Sequence, residues 1–135
     1  SGKMLYVNCG HIPPRLMPLP QRAQAGTERS RSDGTETNLM PTGPAVGLMP
    51  DITFQSREIQ LEPGDLMVGY TDGVTEARSP QDEIYTRDRL QSLLTQPLKS
   101  ATETLERIKT NLFAFIDIAP RSDDVTMLAV QRAVS

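Results

Sequence analysis

The chain has 135 residues, enough for one domain or a large part of one. Its 14 Lys and Arg against 17 Asp and Glu leave a formal charge of -3, so the basic excess of a phosphate-backbone binder is absent and no nucleic-acid contact is expected. A single cysteine rules out an internal disulfide, and no apolar run approaches the roughly 18 residues of a membrane span, so the expectation is a cytoplasmic chain without membrane contact.

Met4 to Asn8 is a short apolar run stopped at Gly10, and it predicts a buried strand. The pattern begins almost at the first residue, which leads us to expect a piece of a larger domain. Pro13 and Pro14 enforce an extended segment, because proline fixes φ and restricts the residue before it. Arg15 to Leu19 predicts a strand at a sheet edge, where Pro18 is tolerated. From Gln21 to Asn38 apolar periodicity disappears. Small, polar and charged residues around Asp33-Gly34 predict a mobile loop over 21–38.

Gly43-Pro44-Ala45-Val46-Gly47-Leu48 is again punctuated by turn formers. Thr53 to Leu61 alternates in part and reads as a strand, and Pro63-Gly64-Asp65 reads as a turn. Leu66 to Tyr70 is a continuous apolar run, suited to a central strand covered on both faces. Arg87 to Gln96 carries Leu90, Leu93 and Leu94 at helical spacing and stops at Pro97. Ser100 and Glu103 match the S-x-x-E capping box of a second helix, with Leu105, Ile108, Leu112 and Phe115 on its apolar face through about Asp117. Val125 to Gln131 closes the chain as a strand. Strands outnumber helices and do not alternate with them, so the fold class is α+β with antiparallel sheets.

Two acidic spots stand where chemistry is expected. Asp72 follows the apolar strand directly, and Gly73 lets the backbone turn beside it. Asp123 and Asp124 precede the last strand, and two adjacent carboxylates repel unless they are solvated, protonated or near a cation. If the two strands are neighbours, the acids meet at one end of a sheet. Asp oxygens with few His or Cys suit a hard cation such as Mg²⁺ or Mn²⁺. The plain reading stands beside this one, since Asp-Gly after a strand is most often a turn and Asp-Asp before a strand is often a cap. His11, the lone histidine, reads as a general acid, a phosphate contact, a metal ligand or simply a hydrogen-bonded structural residue. Cys9 has no phosphate-loop glycines or helix start after it and reads as a small buried residue.

Four stretches together resemble one family. Asn8-Cys9-Gly10-His11-Ile12-Pro13-Pro14 resembles the N-A-G-H-x-P-P element of SpoIIE-like phosphatases, the bacterial branch of the metal-dependent PPM (protein phosphatase 2C-like) enzymes. Gly43-Pro44-Ala45-Val46-Gly47-Leu48 resembles their G-x-P-L-G-L element. Pro63 to Ala77 is similar, nearly residue for residue, to their P-G-D-x-L-x-x-Y-T-D-G-V-x-E-A element, and Ser122 to Leu128 to their D-D-x-T-x-L. The departures are Cys9 for Ala, Ile12 for a common Asn, Thr86 where Gly is usual, and Tyr85 for Phe.

The resemblance implies an antiparallel β-sandwich flanked by helices, with residues 1–135 as the C-terminal portion of the catalytic domain. It implies that Asp72 and Asp123 bind metal, two Mn²⁺ or Mg²⁺ ions in the complete domain. Catalysis would run through a metal-bound water without a phosphoenzyme. Gly73 and Asp124 would support the ligands from behind. The G-D-x-x-G-H-G-like element that completes the metal pair in the family is not found within 1–135. The segment alone is therefore expected to be inactive, and its open sheet edges to favour self-association. The implied function is hydrolysis of phosphoserine or phosphothreonine on a regulatory protein of the anti-anti-sigma (STAS) type. The alternative is a degenerate phosphatase-like module that binds a regulator without turnover.

Overall fold

A computed structural model describes residues 2–18, 37–96, 99–120 and 123–134. Its strands are β1 (Lys3–Tyr6), β2 (Arg15–Met17), β3 (Thr37–Asn38), β4 (Arg57–Gln60), β5 (Leu66–Tyr70) and β6 (Met127–Gln131). A helical turn α1 (Asp72–Thr75) and helices α2 (Arg87–Leu94) and α3 (Ala101–Ile116) complete it. The loop expected over 21–38 lies outside the described residues except for its last two, which form β3. The chain divides into two compact units, residues 1–68 with 130–135, and residues 69–129.

In the first unit β1 lies antiparallel to β4, with Met4 opposite Ile59. β2 lies antiparallel to both β3 and β5, with Leu16 opposite Met67. Buried Leu16, Leu39, Leu61 and Met67 form the core, and Met4, Tyr6 and Ile59 pack against it from the β1–β4 pair. This is a sandwich of two antiparallel layers, as expected. The strand at 4–8 is less buried than its apolar run implies, with Leu5 at 68% and Val7 at 48% exposure. A strand's period of two sends Met4 and Tyr6 inward and their neighbours outward, and only one face of β1 is covered.

The Pro63-Gly64-Asp65 turn is built on a left-handed Gly64, with φ at 87°. Asp65 is buried, and its Oδ2 accepts from the Glu62 amide at 2.8 Å while its own amide donates to the Glu62 carbonyl at 2.9 Å. The amide of Gly64 donates to the carbonyl of Arg132, and the amide of Arg132 to the carbonyl of Asp65. The order β3-β2-β5-β6 makes β5 an inner strand, and Leu66, Met67, Val68 and Tyr70 are all buried. The uninterrupted apolar run is explained by that position.

The second unit holds the helices. Ser100 caps α3, its Oγ accepting from the Glu103 amide at 3.1 Å. The Glu103 carboxylate pairs with Arg107 at 3.1 Å instead of closing the capping box. The buried face of α3 is Thr104, Ile108, Leu112 and Ile116, so Leu105 and Phe115 flank the stripe that was expected to include them. Thr104 is accommodated because its hydroxyl donates to the Ser100 carbonyl at 2.8 Å. On α2, Leu90 and Leu94 are buried.

Tyr85, fully buried ahead of α2, donates its hydroxyl to Asn111 Oδ1 at 2.6 Å. Its ring meets Phe115 edge-on at 5.3 Å, and the Arg89 guanidinium stands 4.6 Å from the Phe115 ring centre. Burial pushes the Tyr85 phenol above its ordinary value of 10.0, and the positive charge of Arg89 opposes that shift.

Candidate functional site

The site grows from the point where β5 stops. Thr71 is extended, with φ at -86° and ψ at 163°, and the chain then turns straight into α1 at Asp72. Thr71 is tied to the segment before β6 through three bonds. Its amide donates to the Thr126 carbonyl at 3.0 Å. Its hydroxyl donates to the Asp124 carbonyl at 3.0 Å and accepts from the Thr126 amide at 3.1 Å. Gly73 is buried against the same segment. A Cβ there would lie 2.9 Å from the carbonyl carbon of Asp124 and closer still to its oxygen. Only a residue without a side chain allows the two backbones to approach this closely.

The Thr71-Asp72-Gly73 turn and the Asp123-Asp124-Val125-Thr126 segment therefore lie side by side in the second unit. Asp72, Asp123 and Asp124 are all exposed. In Asp72 one carboxylate oxygen accepts the amide of Gly73 at 3.0 Å, and in Asp123 one accepts the amide of Asp124 at 2.7 Å. These local bonds fix how each carboxylate is turned. Asp124 contributes through its main chain, its amide holding the Asp123 carboxylate and its carbonyl receiving Thr71. Gly73, Ala77, Arg78, Ile116, Pro120, Asp123 and Val125 line one cleft of about 10 Å³, roughly one water's worth of room.

The donor chemistry fits a hard divalent cation, since the acids offer oxygen ligands and are solvated. They make a partial set, because among the described residues no group of three or more His, Cys, Asp and Glu side chains is placed to hold a metal ion.

The first two motifs meet in the first unit. Asn8 is 6% exposed and acts as their latch. Its Nδ2 donates to the carbonyls of His11 at 3.1 Å and Leu39 at 3.0 Å, while its Oδ1 accepts the His11 amide at 2.8 Å. Its main chain bonds Thr42 in both directions, to the hydroxyl at 3.1 Å and from the amide at 2.8 Å. Gly10, with φ at 85°, faces Ala45. His11 is exposed, its Nδ1 lying 2.9 Å from the Ile12 carbonyl. Cys9 is half-buried rather than buried. Asn8, Thr71 and Thr126 were not singled out from sequence. An isolated Asn or Thr carries no spacing signal, and each works through partners far along the chain.

The antiparallel sandwich of the first unit and the helices of the second, each described by itself, have the fold seen in PP2C phosphatase domains. The SiaA-PP2C domain of Pseudomonas aeruginosa matches it with a TM-score of 0.66 at 19% identity, over 96% of this chain and 46% of that one. The family model for Stage II sporulation protein E (SpoIIE) matches residues 1–133, and the chain belongs to that family. Protein IcfG of Synechocystis sp. is 40% identical over 132 residues, 98% of this chain and 19% of that protein. Phosphoserine phosphatase RsbU of Bacillus subtilis is 29% identical over 130 residues, 96% of this chain and 35% of that protein. The chain thus spans well under half the length of these relatives. Among the described residues no helix is long and apolar enough to cross a membrane.

Proposed function

We propose that this protein, with a complete catalytic domain, is a metal-dependent serine/threonine phosphatase acting on a phosphorylated regulatory protein of the anti-anti-sigma (STAS) type. The observation that carries this reading is the stitching of the Asp72-Gly73 turn to the Asp123-Asp124 segment by Thr71. Family membership and the name of RsbU support it.

Asp72 and Asp123 are the residues that would hold Mn²⁺ or Mg²⁺. When bound, such ions supply Lewis acidity, lowering the pKa of water and offsetting phosphoryl charge. The chain's own part is geometric. Thr71 fixes the register of the two segments, Gly73 lets them touch, and the amides of Gly73 and Asp124 turn the carboxylates. Both acids stand in solvent, where a phosphorylated side chain on another protein has access to them. Direct attack by water needs no nucleophilic side chain.

The test is turnover of a phosphorylated STAS-type protein by the full-length protein with Mn²⁺. Asp72→Asn and Asp123→Asn are each expected to lower turnover by more than the roughly 10- to 100-fold typical of outer-shell changes. Their unfolding midpoints should stay near that of the parent, because both side chains are exposed. Near-normal turnover in either variant removes that residue from the site. Tight substrate binding by the parent without turnover would favour the non-catalytic alternative.

A further inference from the structure

Beside the acidic cleft runs a wider open groove of about 470 Å³, lined by Arg78, Ser79, Pro80, Asp82, Ile118, Ala119 and Pro120. Arg78 and Pro120 line both. The cleft has room for about one water. A phosphoryl group is larger and must sit at its mouth, where the groove begins. Arg78 is at that junction, and among the described residues lining the two hollows it is the one cation.

The arginine is held in place. Its backbone bridges to Ile84 across a tight hairpin. Within that hairpin the Ser79 amide donates to the Glu83 carbonyl at 2.9 Å, and the buried Ser79 hydroxyl accepts the amides of Gln81 and Glu83, each at 3.2 Å. The Arg78 side chain donates from Nη1 to the Asp82 carboxylate at 2.7 Å and to the Asp82 carbonyl at 3.3 Å. Both groups are exposed, so the pair adds little stability, and its effect is orientation. Both bonds use one nitrogen. A guanidinium carries five donors in a planar fork, so the edge formed by Nε and Nη2 remains for a ligand.

We propose that this free edge of Arg78 binds the phosphoryl oxygens of the substrate, with Asp82 holding the guanidinium towards the cleft. A phosphate dianion beside the Asp72 and Asp123 carboxylates needs opposing charge, and a planar two-point donor matches it. The proposal rests on the phosphatase reading above.

In the full-length protein with Mn²⁺, Arg78→Ala is expected to raise both the KM for a phosphoserine peptide and the Ki of inorganic phosphate by about 10- to 100-fold, more through KM than through kcat. Arg78→Lys, which keeps the charge and loses the fork, should recover part of that loss. Unchanged unfolding midpoints confirm that both variants fold. A KM and a phosphate Ki within about twofold of the parent in Arg78→Ala overturn the proposal. A parent protein that hydrolyses no phosphopeptide defeats the phosphatase reading instead. Titration of inorganic phosphate into the Mn²⁺-loaded protein then decides Arg78 separately. Binding that weakens in Arg78→Ala supports its role, whereas binding that is unchanged or absent overturns it.

Discussion

Thr86 is the residue whose replacement should make this protein more stable. Its φ is 70° and its ψ 156°, a region that residues with a Cβ rarely occupy and that costs them about 1–3 kcal/mol. The side chain returns little. Thr86 is exposed, and it makes no capping bond at the start of α2, where its position would allow one. Its amide donates to the Thr75 carbonyl at 2.9 Å, a bond that glycine keeps. Thr86→Gly therefore relieves the strain and loses about 0.5–1 kcal/mol to the greater freedom of the unfolded chain. The net gain is about 1 kcal/mol, or roughly 3–5 °C in Tm for a domain of this size. Urea unfolding of the intact catalytic domain reads it, with Thr86→Ala as the control. Alanine keeps the Cβ and should gain nothing comparable. A glycine variant no more stable than the parent, or an alanine variant that gains as much, would refute the strain argument.

Gly73→Ala drives a Cβ into the Asp124 carbonyl, so the two backbones must part. A loss of about 1–3 kcal/mol is expected, together with a fall in turnover, and unchanged values of both would show that the approach is not needed. Ser100→Ala removes the hydroxyl that caps α3, and about 1 kcal/mol should be lost by urea unfolding, with no loss meaning that the cap is replaced by water. Tyr85 titrates in the opposite sense to a paired carboxylate. Its raised folded pKa means that folding favours the protonated phenol, so its contribution is full below the unfolded value of 10.0 and disappears as pH rises through the folded one. Stability should fall in alkali, and less steeply in Tyr85→Phe. Equal slopes would assign the fall to other groups.

The elements that sequence makes readable are those whose signal is local. The apolar run at 66–70, the helices beginning at Arg87 and just after Ser100, and the Ser100 cap depend on neighbours within a few residues, and the structure has them where the pattern puts them. The misjudged details depend on what lies opposite. Whether Leu5 or Tyr6 of β1 faces the core follows from what covers each face, and periodicity alone does not supply that. The exchange of Leu105 and Phe115 for Thr104 and Ile116 at the two ends of the buried α3 stripe has the same origin. A buried threonine is readily taken for a surface residue until its hydroxyl is seen to bond the preceding turn.

The acids at 72 and 123 stand out in the sequence by their chemistry and by their place in motifs. That they meet is expected only on condition that their strands are neighbours, or from the family resemblance, because the Thr71 bonds that bring the two segments together span 53 and 55 residues. The division follows from how such a site must be built. Exposed carboxylates have no packing to place them, so their positions are inherited from the ends of β5 and β6. The residues that transmit position are then a hydroxyl, a missing side chain and main-chain amides, none of which has a distinctive spacing. Asn8 repeats the arrangement in the first unit, where one buried amide side chain holds the Gly10-His11 loop to the segment at Leu39 and Thr42. At both places the short polar residue inside the motif sets the geometry, and the reactive-looking neighbour stands in solvent.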